Sequence, residues 1–404
     1  MKESTRVLLA LAVAVALGVA IAASHNASLL GAADFIAPFG TLWVNAIRMT
    51  VIPLVVALLI TGVASVSDIR AVGRLGLRTL IVFLLLLAIV AIVVMPIVYA
   101  VFAFLPKHAA APAGFALGER QTFAKWLPSL LPANPIAAAA NGDMLPLILF
   151  TLLFALAIAR SQQRTLVTFF QAVVDAMLIL VRWVILVAPI GVFALVLPLT
   201  AHAGSSVAGA LGSFIVAYSI ACVLVILLLY PVVAILAKIP IRRFARAALP
   251  PQLIAFSSSS SIASLPALID AAERDLELPK DVVGFVLPLA ASMFKIAAPL
   301  SWPLGACFVG WFYGIPVGIS QLATVAFAAI FLALAAPGIP RGAFIMLTPL
   351  FLAIGLPAEG IGLLIAVDAI PDTFASTLNS TGFLAATAIV ARGGEVADAY
   401  PRQL

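Results

Sequence analysis

Phe256-Ser257-Ser258-Ser259-Ser260-Ser261-Ile262-Ala263-Ser264-Leu265-Pro266 is a run of hydroxyls inside a long apolar segment, 247–275, and it ends on a proline. Proline removes a backbone donor and clashes with the preceding turn, so no helix runs through it undisturbed. A second segment, 319–352, has the same defect at Ala336-Pro337-Gly338-Ile339-Pro340-Arg341-Gly342. Unpaired backbone at membrane depth survives only where protein buries it or water reaches it. Two re-entrant helical hairpins, one from each face, meet that requirement. Two kinked spanning helices are the blander alternative.

Composition puts these segments in a membrane. The 404 residues are 64% hydrophobic and 9% charged, too little polar surface to cover a soluble protein of this length. Apolar runs give spans at 7–23, 39–66, 78–105, 143–160, 171–200 and 209–237. Interrupted apolar stretches follow at 247–275, 282–314, 319–352 and 358–391. The first run has a short basic flank, as a signal peptide would, but the spans behind it predict a retained first helix.

Basic residues set the orientation. Lys2, Arg6, Arg70, Arg74, Arg78, Arg160, Arg164, Lys238, Arg242, Arg243 and Arg246 flank the spans on one side, and the positive-inside rule makes that side cytoplasmic. Both termini then lie in the cytoplasm, and the expected location is the cytoplasmic (inner) membrane. The proline- and alanine-rich linker 106–134 lies outside, with Lys107, Arg120 and Lys125 as a modest counter-signal. The formal charge of +6 is thus a topology signal, and no nucleic-acid partner is expected. Cys222 and Cys307 sit in apolar stretches as packing residues. No phosphate-binding glycine loop, metalloprotease signature or catalytic triad is present, so no enzyme, cofactor or resident metal is expected.

The last segment concentrates polarity. Asp368, Asp372, Ser376 and Asn379 fall on one stripe at helical spacing, with Pro371 loosening the backbone among them. Carboxylates deep in a bilayer mark a cavity or pathway, or they cap local backbone or pair with a buried lysine. Lys295, in Ala290-Ala-Ser-Met-Phe-Lys-Ile-Ala-Ala-Pro299, is that lysine, too deep to snorkel easily. It is either an internal counter-ion or a protonation site, and Pro299 should break the helix just beyond it. The serine turn suits carboxylates, because helix amino termini offer free N–H groups. Arg341 either clamps an anionic group or lies among headgroups.

Over almost its full length the chain resembles the dicarboxylate/amino acid:cation symporters, the glutamate-transporter-like family. The resemblance rests on Arg48-Met-Thr-Val-Ile-Pro-Leu-Val with Gly62 to Ser67, Asn134-Pro, and Ala140-Asn-Gly-Asp-Met-Leu-Pro146. It continues through Ala188-Pro-Ile-Gly-Val-Phe-Ala194, the serine stretch, Leu287-Pro-Leu, Pro337-Gly-Ile-Pro340 and Asp368 to Gly382. It implies an all-α membrane protein of eight transmembrane helices and two re-entrant hairpins, assembled as a homotrimer and working as an elevator. Scaffold helices would occupy 1–77 and 128–200. The substrate-carrying part would hold 78–105, 209–237, hairpin 247–275, helix 282–314, hairpin 319–352 and helix 358–391. The substrate positions carried over are Ser258, Ser259, Ser260, Ala298, Ile339, Pro340, Arg341, Gly342, Asp372, Ala375, Ser376 and Asn379.

Departures from the family pattern shape the functional expectation. The seventh-span signature Asn-Met-Asp-Gly-Thr stands here as Phe294-Lys295-Ile296-Ala297-Ala298, and the last acidic cation ligand is Phe383. Leu86 and Leu87 replace hydroxyl ligands of the third span, and Ala375 replaces the arginine that reads acidic side chains. Hard cations need several oxygens, so these changes argue against ordinary sodium coupling. The expectation is a proton-coupled or facilitative carrier of a small organic anion or amino acid, with Lys295, Asp368 and Asp372 as coupling or internal charges. Alternatives are a sodium-coupled symporter, an anion-conducting channel-like pathway, and a membrane protein that binds without transporting.

Overall fold

The computed structural model describes residues 3–71, 73–104, 131–141, 143–333, 347 and 350–392, and among them all regular structure is helical. Eight helices come first: α1 (Glu3–Ser24), α2 (Ala27–Ala71), α3 (Arg74–Phe104), α4 (Pro135–Asn141), α5 (Met144–Ser161), α6 (Arg164–Leu186), α7 (Ala188–Ala203) and α8 (Ser205–Leu236). After them come α9 (Ile241–Ser258) and α10 (Leu265–Asp270), the latter continued by a π-helical turn, Ala271–Asp275. The remainder is α11 (Lys280–Met293), α12 (Ala298–Phe312), α13 (Ile319–Ala333), α14 (Glu359–Val367) and α15 (Pro371–Arg392). Seven stretches among the described residues are long and apolar enough to cross a bilayer, counting α11 and α12 as one. The chain is a multi-pass helical membrane protein.

The structure departs from the sequence expectation in several places. The span expected at 171–200 is two helices that part at Val187. Pro189 has no N–H to offer the Ile185 carbonyl, and at the same helix end the Trp43 indole N–H donates to the neighbouring Val184 carbonyl at 3.0 Å. The second span begins at Ala27 rather than residue 39, because Ser28, Gly31 and Asp34 dilute the hydropathy of a helix that still forms. The span expected at 358–391 is interrupted after Val367, so Asp368 caps α14 while Asp372 opens α15. The break expected at Pro299 instead precedes it, over residues 294–297. Pro299 sits in the first turn of α12, where a missing N–H costs nothing.

Segment 247–275 folds back on itself, and its first arm starts earlier, at Ile241. Arg243 Nε donates to the Asp275 carbonyl at 2.7 Å, and its Nη2 pairs with Glu277 at 3.0 Å. Arg243 and Asp275 are 32 residues apart, which one continuous helix would separate by about 48 Å. A kinked single helix is therefore ruled out for this segment. The tip of the second expected hairpin, at residues 336–342, lies outside the described residues.

Two groups of helices pack mainly among themselves. In one, α1 and α2 pack against α7, and α5 and α6 pack against α2. Glycines permit the approach: a Cβ on Gly18 would collide with the Thr200 side chain, and one on Gly191 with the Trp43 ring. In the other, α3, α8, α9 and α11 surround α15, while α12 packs on α3 and α13. The short α14 leans on α7, tying the groups together, and Arg48 of α2 meets Glu359 at its start at 3.4 Å.

Candidate functional site

A serine turn and a broken helix converge on α15. The turn is built locally. α9 ends with Ser259 in the left-handed region (φ 51°), while the Ser258 hydroxyl bonds back to the Ile254 carbonyl at 2.6 Å. The Ser260 hydroxyl accepts the Ala263 N–H at 3.3 Å. Such short-range bonds to main chain are what serine offers where a helix must stop. Ser258, Ser259 and Ser260 are half-buried, whereas Ser261 and Ser264 are buried.

Side chains from this hairpin then fasten it to α15. Ser264 and Ser380 share a buried hydroxyl–hydroxyl bond of 2.9 Å. Gln252 Nε2 donates to the Thr381 hydroxyl at 2.9 Å and to the Tyr230 hydroxyl at 3.1 Å. In a low-dielectric interior an unmet polar group is costly, so these reciprocal contacts define how the hairpin sits.

The break between α11 and α12 has its own logic. Phe294 is extended (φ −121°, ψ 92°), and its ring stacks on Phe83 of α3 at 4.4 Å between centroids. Phe383 of α15 stands 6.4 Å from Phe294 on another side. Ile296 presses on α15 where Gly382 leaves room; a Cβ there would lie 2.6 Å from Ile296 Cγ2. Leaving the helix frees backbone groups at both sides of the gap. The Ala297 N–H is taken by Asn379 Oδ1 at 3.0 Å. Lys295 Nζ turns back to donate to the Ala291 carbonyl at 2.9 Å, and it stands 5.4 Å over the Phe383 ring. Asp372 is the carboxylate that acts on this ammonium.

Asp368 is 4% exposed. Its carbonyl accepts the Asp372 N–H at 2.8 Å, so the chain direction carries across the interruption. Tyr218 of α8 places a buried hydroxyl in the field of both carboxylates, near Ser301 of α12. The region thus combines two carboxylates, an ammonium, several hydroxyls and an aromatic cluster.

Of the residues named from sequence, Asp372, Ala375, Ser376 and Asn379 lie on α15, with Ala375 and Ser376 buried. Ala298 opens α12 beside them, its N–H bonded to the Lys295 carbonyl at 3.0 Å. Ser258, Ser259 and Ser260 lie on the serine turn that docks against the same helix. Ile339, Pro340, Arg341 and Gly342 lie outside the described residues. Sequence reasoning missed Gln252, Phe83, Ser380 and Thr381, and it did not give Ser264 its partner. The one available signal was that Ser380 follows Ser376 at i+4, on the stripe already identified.

The chain is similar to known proteins over most of its length. A proton/sodium-glutamate symport protein of Bacillus subtilis (strain 168) is 28% identical over 382 residues, covering 89% of this chain and 86% of its own length. A proton/glutamate-aspartate symporter of Escherichia coli (strain K12) is 26% identical over 373 residues, covering 89% and 85%. The C4-dicarboxylate transport protein 2 of Pseudomonas aeruginosa (strain UCBPP-PA14) is 28% identical over 392 residues, covering 94% and 88%. The model of the sodium:dicarboxylate symporter family matches residues 4–393. With nearly every described helix inside that match, the chain belongs to the sodium:dicarboxylate symporter family.

Proposed function

We propose that this protein is a secondary transporter of a small organic anion or amino acid, proton-coupled or facilitative rather than sodium-coupled. As a member of a transporter family it is not an enzyme. The observation that carries the coupling assignment is the aromatic packing of Phe83, Phe294 and Phe383 around the helix break. Ring carbons offer no oxygen to a hard cation, which needs about six ligands at close range.

The substrate reading uses the polar groups around the break. Ser258, Ser259, Ser260, Ala298, Asp372, Ala375, Ser376 and Asn379 would line the site, and Ile339, Pro340, Arg341 and Gly342 would close it from the second hairpin. Ala375 gives a substrate side chain no cationic partner at its position on α15. The two packing groups support an elevator reading: the group around α7 as scaffold, the group around α15 as the moving body. The hairpin of α9 and α10 would be re-entrant, the assembly a homotrimer, and both termini cytoplasmic in the inner membrane.

Uptake into proteoliposomes tests the assignment, with labelled succinate, L-glutamate and L-aspartate under an imposed sodium gradient, an imposed proton gradient, or neither. Saturable uptake of at least one substrate, indifferent to sodium, is expected. Uptake that strictly requires sodium would overturn the coupling assignment.

A further inference from the structure

We infer that the Lys295 ammonium is a built-in cation, occupying by covalent tether a position that a dissociable monovalent cation would otherwise fill. The inference deepens the coupling part of the proposed function and rests on it. It starts from the end of α11. A helix that stops inside a protein presents carbonyl oxygens with no intrahelical donor, and the dipole puts partial negative charge there. α11 stops at Met293; the Phe294 N–H still reaches the Ala290 carbonyl at 2.9 Å, and the next residue, Lys295, serves the Ala291 carbonyl with its side chain. Its Nζ bonds the Ala291 carbonyl at 2.9 Å.

Other features of the setting also favour a cation. The Phe383 ring presents its electron-rich face 5.4 Å from Nζ, within the range of cation–π attraction. The Coulombic attraction of Asp372, in the first turn of α15, offsets part of what burial costs this ammonium. Meanwhile Asn379 Oδ1 is directed at the Ala297 N–H on the far side of the gap. The two sides of the break are thus matched by opposite partners: an ammonium for the carbonyl end, an amide oxygen for the N–H end. A dissociable ion would have to be rebound in every cycle, whereas a tethered one is always present. Lys295 is a positioning residue here, since it acts by holding the broken backbone in shape.

The test uses purified full-length protein in detergent, read by thermal unfolding rather than by transport. Sodium, potassium or methylammonium chloride is titrated against choline chloride at constant ionic strength. The wild type should show no saturable shift with any of them. Lys295→Ala should unfold at lower temperature and recover by about 3 °C, saturably, with sodium or methylammonium but not with choline. Lys295→Arg, which keeps the charge, should stay insensitive.

A variant that unfolds early but responds to no cation would assign Lys295 a packing role and overturn the inference, leaving sodium-independent uptake standing. Saturable sodium stabilisation of the wild type overturns the inference even if Lys295→Ala cannot be purified. Sodium-driven uptake in the proteoliposome assay would overturn the coupling reading by a separate route.

Discussion

Helices α3 and α15 invert the usual relation between hydropathy and burial. The apolar window of α3 has a mean hydropathy of 3.4, yet only 39% of it is buried. α15 has the lowest mean hydropathy of the seven spanning stretches, 1.3, and the largest buried share, 78%. In water the apolar helix would be the one inside. In lipid there is no hydrophobic gain on moving a leucine from tails to protein, so packing and polar contacts decide what goes in. α3 turns Ile81, Leu85, Ile92 and Ile97 outward, while α15 buries Ser376, Ser380, Thr381 and Thr387.

The contrast makes α15 the sensitive element, and substitutions there should have the largest effects. Gly382→Ala places a methyl 2.6 Å from Ile296 Cγ2, whose β-branched stem has little freedom to give way. We expect a loss of about 1–3 kcal/mol, read as a lower unfolding temperature in detergent. Gly212→Ala in α8 meets nothing within 4 Å and should be neutral or stabilising by up to about 1 kcal/mol. Equal sensitivity at the two glycines would erase the distinction.

Asn379→Ala leaves the Ala297 N–H without its side-chain acceptor, at a cost of about 1–3 kcal/mol if no water replaces it. Asn379→Asp should retain more stability than Ala, because it keeps an acceptor oxygen at the same reach. If Asp and Ala variants unfold together, the bond contributes nothing.

Ser380→Ala removes one partner of the buried hydroxyl pair with Ser264 and should cost about 1 kcal/mol. Changing both serines to alanine should cost less than the two single losses added, because neither hydroxyl is then left unpartnered. Strict additivity would place the two groups in separate environments.

The smallest effect belongs to the link between the two packing groups. Arg48 and Glu359 are each about one-third exposed along the side chain, so after allowance for screening Arg48→Gln should change stability by no more than about 1 kcal/mol. Under the proposed elevator reading its signature would appear in transport rate, since a contact between sliding groups would have to break in each cycle. An Arg48→Glu, Glu359→Arg exchange should restore the wild-type rate if the pair is what matters.

What sequence made legible was whatever depends on local chemistry. Runs of aliphatic residues located the spans, and the serines with Pro266 located the hairpin turn. Phe294 and Phe383 were expected near the same place through resemblance. Local chemistry did not reveal that Pro189 divides a span, because Trp43, the residue that makes the division tolerable, lies far away in sequence. Nor did it reveal which polar groups meet. Asn379 and Ala297 are 82 residues apart, and Ser264 and Ser380 are 116 apart. A stripe of polar side chains says that a helix faces something; only the tertiary arrangement says what.

The stitch that Arg243 makes between the start and finish of its hairpin bears on how the gene product is threaded during synthesis. Because the two arms leave where they arrive, they add an even number of traverses and reverse nothing downstream. The side of the membrane from which α11 starts is therefore the side on which α8 ends. An excised or transplanted cassette at this point would alter the serine turn that docks on α15 without turning α11 upside down.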